Sequence, residues 1–379
     1  MHWKKQDTPA PRRPAASRAL LALAALTLAA VSRAALPLDT LELDSGFRIS
    51  VFAANVANAR QLAQAPDGTV FAGSREAGKV YAIRDTDGDG RADQVTVLLE
   101  GLNMPSGIAL RDGTLYVAAL DRILALAHAV DHPPGAEARV VYDDFPDASH
   151  HGWKYLRVDA NGNLIVPVGA PCNICDEKPP FATIQRLDPD TGETETLARG
   201  VRNSVGFDFQ PGSGQLWFTD NGRDGLGDEV PADELNRITR AGEHFGYPYL
   251  HAGDVPDPDF GQGKKPGDYT APMWKIPAHH AALGMTFYDD DAFPDAYRGN
   301  IFIAEHGSWN RTEPAGYRVT RVVLDDSGAV KSYQPFVQGW LRDGDAWGRP
   351  ADVLVANDGS LLIADDSAGV IYRVRYTGQ

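Results

Sequence analysis

Cysteine is nearly missing from this chain. Cys172 and Cys175 are the only two in 379 residues, and there is no second C-x-x-C. That excludes zinc frameworks built on four cysteines and the disulfide-dense small folds. Positive charge is also short: 36 Lys and Arg face 51 Asp and Glu, for a net charge of −15. Nucleic acid and anionic membrane surfaces are therefore poor partners. A long apolar run is missing too. Residues 19–31 give a stretch of 13, too short to cross a bilayer. Beyond it, no segment sustains the 3.6-residue period of an amphipathic helix. What the chain has in quantity is Gly (38) and Pro (26), which suits many short strands joined by tight turns.

The apolar run follows Lys4, Lys5, Arg12, Arg13 and Arg18, and Ser32-Arg33-Ala34 puts small residues at the −3 and −1 positions of a cleavage site. Residues 1–34 read as a secretory signal peptide. Its removal takes away six basic residues and Asp7, leaving a chain of charge near −20. The expectation is a periplasmic or secreted protein whose residues 35–379 form a single catalytic domain, with no membrane span once mature. In that compartment the Cys172/Cys175 pair predicts a small-loop disulfide.

A turn ending in Gly, followed by strand-forming residues, recurs six times. The copies are Asp67-Gly68-Thr-Val-Phe, Asp112-Gly113-Thr-Leu-Tyr, Asn161-Gly162-Asn-Leu-Ile, Ser213-Gly214-Gln-Leu-Trp, Arg298-Gly299-Asn-Ile-Phe and Asp358-Gly359-Ser-Leu-Leu. Such turns supply the positive φ that a tight hairpin requires. The glycines are spaced 45, 49, 52, 85 and 60 residues apart, and each copy is followed by a second alternating strand. Four of those strands carry Arg at their third position: Arg186, Arg237, Arg321 and Arg373. Repeats of this size, each with four strands' worth of chain, predict an all-β, six-bladed propeller of four-stranded antiparallel blades. The 85-residue step implies a loop insertion near 241–270.

Several constellations carry chemistry. Asp85, Asp87, Asp89 and Asp93 form D-x-D-x-D-G-x-x-D, alternate carboxylates suited to a hard cation, although Thr96 stands where a full Ca²⁺-binding hand has its bidentate Glu. The tandem His150-His151 lies just before the third turn, in a Gly-flanked loop suited to a base. His279-His280 and His306 occupy corresponding loops further on. Arg202-Asn203 offers a guanidinium fork beside an amide, a pair able to hold a flat, oxygen-rich anion. Asn221-Gly222-Arg223, Asp233, Trp309-Asn310-Arg311 and Arg349 complete the set.

At His150-His-Gly-Trp-Lys-Tyr, Arg202-Asn-Ser-Val-Gly-Phe, Trp217-Phe-Thr-Asp-Asn-Gly-Arg-Asp, Asp233-Glu-Leu-Asn, Glu305-His-Gly-Ser-Trp-Asn-Arg and Trp347-Gly-Arg-Pro, the chain resembles the soluble glucose/sorbosone dehydrogenases. These are six-bladed enzymes dependent on pyrroloquinoline quinone (PQQ) and Ca²⁺. The likeness runs over residues 45–376 and is nearest to the sorbosone and fungal pyranose dehydrogenase branches. It implies oxidation of an aldose sugar or an aldehyde, with electrons passed to a periplasmic acceptor such as a cytochrome or quinone. It puts the base on His151, with His150 as the fallback, and the assisting acid on Asp233. The quinone-gripping pair falls on Arg202 and Asn203, and a late arginine on Arg349. The Ca²⁺-coordinating carbonyls fall on Gly222 and Arg223. Asn221, His279, His306, Trp309 and Arg311 are further candidates for the cofactor site. The family's quinone-binding lysine has no lysine here, because Trp309-Asn310-Arg311 fills its neighbourhood, and its second late arginine falls on Ala351.

Two rival readings use the same loops. One is a six-bladed Ca²⁺-dependent lactonase, recruiting Asn203, Asp233 and Glu305 as metal ligands. The other is a non-catalytic binding propeller.

Overall fold

Each of the six expected glycine turns joins the first and second strands of a blade, and each glycine has φ between +67° and +92°. The computed structural model describes residues 36–132, 134–135 and 137–378. The expected signal peptide, residues 1–34, lies outside them.

Among the described residues the fold is all-β, with only three short 3₁₀ turns. Blade one consists of Ala59–Gln64, Val70–Ser74, Val80–Arg84 and Gln94–Leu99, each strand antiparallel to the next. Blade two runs Gly107–Arg111, Thr114–Ala118, Ile123–Leu126 and Arg139–Tyr142. Blade three runs Arg157–Val158, Leu164–Val168, Thr183–Leu187 and Thr194–Arg199. Blade four is Phe207–Phe209, Leu216–Asp220, Asp233–Arg237 and Trp274–Ile276. Blade five is Ala282–Phe287, Ile301–Glu305, Arg318–Leu324 and Val330–Gln338.

Blade six has only three strands from its own stretch of sequence: Pro350–Val355, Leu361–Asp365 and Val370–Tyr376. Its fourth is Phe47–Ala54, from the start of the described chain, paired antiparallel with Val370–Tyr376. This closes the ring by fastening the start of the described chain onto its last blade. Phe47 fastens the closure, its ring lying 4.8–5.1 Å from those of Phe293, Tyr297, Phe336 and Tyr376.

The first strands surround the axis, and polar side chains cross-link them there. Gln61 of blade one accepts from the Ile108 and Leu156 N–H groups and donates to the Leu156 carbonyl. Asp352 of blade six accepts from the Leu62 N–H and from the Tyr155 hydroxyl. Between blades the core is apolar, as where Leu62, Val70, Ile83, Leu362 and Ile371 pack between blades one and six.

The repeated third-strand arginines have a structural job. Arg186 pairs with Asp159, Arg321 reaches Asn300 and Arg373 pairs with Asp358, so in three blades the third strand is tied to the first hairpin turn. The insertion lies where expected, between Asp233–Arg237 and Trp274–Ile276. Within it, Glu243–His244 adds in parallel to the outer strand of blade three.

Candidate functional site

In this topology the loops joining second strands to third strands gather at one end of the ring, together with those leading into each first strand. At that end lies a cavity of about 330 Å³, within the size range of small-molecule sites. Its wall takes Arg60 and Arg75 from blade one, and His151, Arg202, Asn203, Asn221, Gly222 and Asp233 from blades three and four. His279, His306, Trp309 and Arg349 come from blades five and six.

His151 is buried and sits in a turn at φ +50°. Its Nδ1 lies 2.9 Å from the Ala170 carbonyl. A carbonyl can only accept, so Nδ1 carries the proton and Nε2 keeps a lone pair. Burial, reinforced by the nearby Arg202 charge, lowers the imidazole to about 2, so the ring is neutral. Gly169, at the end of the second strand of blade three, makes room for it. A Cβ there would meet the His151 carbonyl oxygen at 2.5 Å and its Cβ at 2.6 Å. Gly169→Ala should therefore displace the His151 backbone and imidazole, which a shift of the ring nitrogen NMR signals against wild type would show.

His150 is exposed on the rim, its ring 4.1 Å from that of His151, and it does not line the cavity. His280 turns away to Glu305 at 2.7 Å. Of the five histidines expected to converge, the structure brings three to the cavity: His151, His279 and His306. His279 Nε2 meets the Gly227 carbonyl at 2.9 Å, and His306 Nε2 is bound to Asp366 at 2.8 Å.

Asn203 Oδ1 is buried with no hydrogen-bond partner among the described residues. Asn221 is fixed by its amide, which donates to the carbonyls of Asn203 and Ala282. Asp233 is fully buried, and burial pushes it up to about 6, against the lowering effect of the Gly222 and Ala281 N–H groups, each 2.8 Å away. Its bond to Gly222 shapes the 221–224 turn. Arg223 does not line the cavity, and its side chain pairs with Asp257 of the insertion.

One cofactor-site expectation needs correction. Arg311 is not a wall residue: its guanidinium is taken up by the carbonyls of Asp228 and Ala278 and by Glu229 at 2.6 Å. Asp85, Asp87 and Asp89 come together as expected, their oxygens within 4.8 Å of one another, on the loop between the third and fourth strands of blade one, away from the cavity. Asp93 turns onto the N–H and hydroxyl of Thr86 instead. Glu305, offered for a lactonase-type metal site, is also removed from the cavity, held by His280, Arg318, Thr320 and Tyr333.

The sequence reading missed Arg60 and Arg75, both wall residues, and gave no role to Asp224 and Asn310, which also line the cavity. Arg60 pairs with Asp366 at 2.8 Å, and its Nε is buried without a hydrogen-bond partner among the described residues. Arg75 lies 4.2 Å over the Trp153 ring, and burial together with the Arg60 charge lowers its pKa. Arg349 donates to the carbonyls of His306 and Gly307. Three guanidiniums thus crowd one side of the cavity, with Asp366 as their well-buried counter-charge. The available signal was positional: Arg75 follows a second strand, as Asn221-Gly222-Arg223 does.

The sequence matches the family described as "Domain of unknown function (DUF7133)" over residues 36–374. A protein of Borreliella burgdorferi described as uncharacterized is 35% identical over 347 residues, covering 88% of this chain and 90% of that one. Among solved structures, the Trichoderma reesei carbohydrate-active enzyme of family AA12 superposes with a TM-score of 0.76 at 19% identity, over 89% of this chain and 97% of that one. The holo PQQ domain of Coprinopsis cinerea pyranose dehydrogenase gives 0.75 at 17%, over 88% and 97%. The PQQ-bound aldose sugar dehydrogenase of Streptomyces coelicolor gives 0.63 at 19%, over 88% and 99%. At these identities the likeness is one of fold.

Proposed function

This chain belongs to the DUF7133 family, and we propose that it is a PQQ- and Ca²⁺-dependent dehydrogenase of an aldose sugar or an aldehyde. The observation carrying this reading is the neutral His151, its Nε2 unprotonated, in one cavity with a cluster of arginines.

PQQ is a flat quinone bearing three carboxylates, and the wall fits such a group. Arg60, Arg75 and Arg349 form a cationic side for carboxylates, and Arg60 Nε and Trp153 Nε1 are buried donors with no hydrogen-bond partner among the described residues. These arginines stand in for the lysine and the second arginine that the resemblance leads one to expect. A hard cation takes oxygen ligands; Asn203 Oδ1 is a buried acceptor in the wall with no partner among the described residues, Gly222 also lines the cavity, and the Gly222 and Arg223 carbonyls are the ligands the resemblance implies. When bound, the quinone supplies a carbonyl that accepts hydride and the Ca²⁺ a Lewis acid that polarises it.

The protein's own part is to place the substrate and move its proton. His151 Nε2 accepts the proton of the hydroxyl on the carbon being oxidised as hydride leaves that carbon, while Nδ1–H stays on the Ala170 carbonyl. Asp233 holds the 221–224 turn through Gly222 and the approach to His280 through Ala281. Trp309, 77% exposed at the rim, offers an aromatic face to an incoming sugar. Export by the segment 1–34 places this chemistry in the periplasm or outside the cell, with a cytochrome or quinone taking the electrons.

The test is reconstitution of purified chain with PQQ and Ca²⁺, followed by an aldose and aldehyde panel with an artificial acceptor. Substrate-dependent dye reduction requiring both additions is expected. Lactone hydrolysis without PQQ would overturn the reading.

A further inference from the structure

Arg202 reaches the cavity beside His151; its Nη1 donates to the Asn221 carbonyl at 3.1 Å and its Nη2 lies 3.5 Å from the Asp224 carboxylate, but its shortest bonds go to the loop between Cys172 and Cys175. Its Nε donates to the Asn173 carbonyl at 2.9 Å and its Nη2 to Asn173 Oδ1 at 2.8 Å. The same Oδ1 accepts from the Asp224 N–H at 2.9 Å, and Asn173 Nδ2 donates to the Asp224 carbonyl at 3.1 Å. Asn173 thus grips a guanidinium with two acceptors and a backbone turn with a donor and an acceptor. It does not line the cavity itself. The short loop carrying it is closed by the Cys172–Cys175 disulfide, with Cα atoms 6.1 Å apart. The loop is also pinned by the Cys175 N–H, which donates to the Tyr247 hydroxyl at 3.0 Å.

We propose that Asn173 is a positioning residue, held in place by the disulfide-closed loop, that fixes the plane of Arg202 and the turn at residues 222–224 relative to each other. The inference rests on the dehydrogenase reading only for its functional consequence.

The residue type explains itself. An arginine side chain carries about 2 kcal/mol of rotamer entropy. Two acceptors on one residue, meeting Nε and Nη2, fix both the position and the plane of the fork. A carboxylate could accept as well, but it would add a second counter-charge to that of Asp224, 3.5 Å from Nη2, and could not donate to the Asp224 carbonyl. The amide orients Arg202 without adding to that counter-charge. The disulfide limits the conformations open to the loop and so holds Asn173 ready.

The experiment is phenylglyoxal labelling of arginine in purified apo chain, read by peptide mass spectrometry at Arg202 and, as an internal control, at Arg349 of the same cavity. Asn173→Ala should speed Arg202 labelling by about tenfold or more, the scale of one lost hydrogen bond to a charged group, with Arg349 unchanged. Cys172→Ser with Cys175→Ser should shift Arg202 in the same direction by less. An Arg202 rate within twofold of wild type in Asn173→Ala overturns the proposal, as does a parallel rise at Arg349, which would mean general loosening. An unchanged rate in the double cysteine variant overturns the disulfide's part in it. In a second arm, quenching of tryptophan fluorescence by PQQ should show about tenfold weaker binding in Asn173→Ala. If wild type shows no quenching while Arg202 is released as expected, the dehydrogenase reading fails and the positioning role stands.

Discussion

His151→Ala, reconstituted with PQQ and Ca²⁺, should lose about 10²–10⁴-fold in turnover, the usual contribution of a positioned general base. Its unfolding transition should stay close to that of wild type. The imidazole has one hydrogen bond, to the Ala170 carbonyl, and its removal leaves no buried charge behind. His150→Ala should lose far less, because that ring stands on the rim and does not line the cavity. The protonation state can be checked without turnover. Burial and the Arg202 charge lower His151, so the neutral form persists as the pH falls through the ordinary histidine range. Nitrogen NMR of labelled apo chain should show a neutral, Nδ1-protonated ring at His151 at pH 6. An imidazolium signal there would remove the base from the mechanism.

Glu305→Ala should cost about 3–5 kcal/mol of unfolding free energy, the loss typical when one partner of a buried ion pair is removed. Glu305 has no solvent exposure and holds His280 at 2.7 Å and Arg318 at 2.8 Å, with the hydroxyls of Thr320 and Tyr333 on its other oxygen. Burial pushes its carboxyl up, but the bonds from His280 and Arg318 outweigh this and hold it ionised. Its removal strands a guanidinium and two hydroxyls. Chemical denaturation would show the loss directly. A cost below about 1 kcal/mol would mean that the network is no stronger than an exposed pair. This role also argues against Glu305 as a metal ligand, since both its oxygens already have donors.

Much of the architecture was legible because its marker is steric. A tight hairpin needs positive φ, so Gly68, Gly113, Gly162, Gly214, Gly299 and Gly359 mark one turn in each blade. The closing strand was not legible. Phe47–Ala54 pairs with Val370–Tyr376 at the far end of the chain, and nothing local in either segment names the other. At the site, His151 and Arg202 could be read because they stand in distinctive clusters just before a turn. Arg60 could not: Asn-Ala-Arg-Gln is undistinguished as sequence, and its importance comes from ring closure, which sets blade one beside Arg349 of blade six. Arg311 failed in the opposite way. Its motif announced a cation, but not that Asp228, Ala278 and Glu229 would consume the guanidinium.

The central claim is that one cavity unites a neutral imidazole with a cationic side suited to a flat polyanion. The measurement that tests it most directly is a crystal structure of the chain soaked with PQQ and Ca²⁺. The account predicts a single quinone in the cavity, its carboxylates on Arg60, Arg75 and Arg349 and its ring facing His151 Nε2. A quinone bound elsewhere, or a cavity that stays free of it at saturating concentration, would contradict the claim.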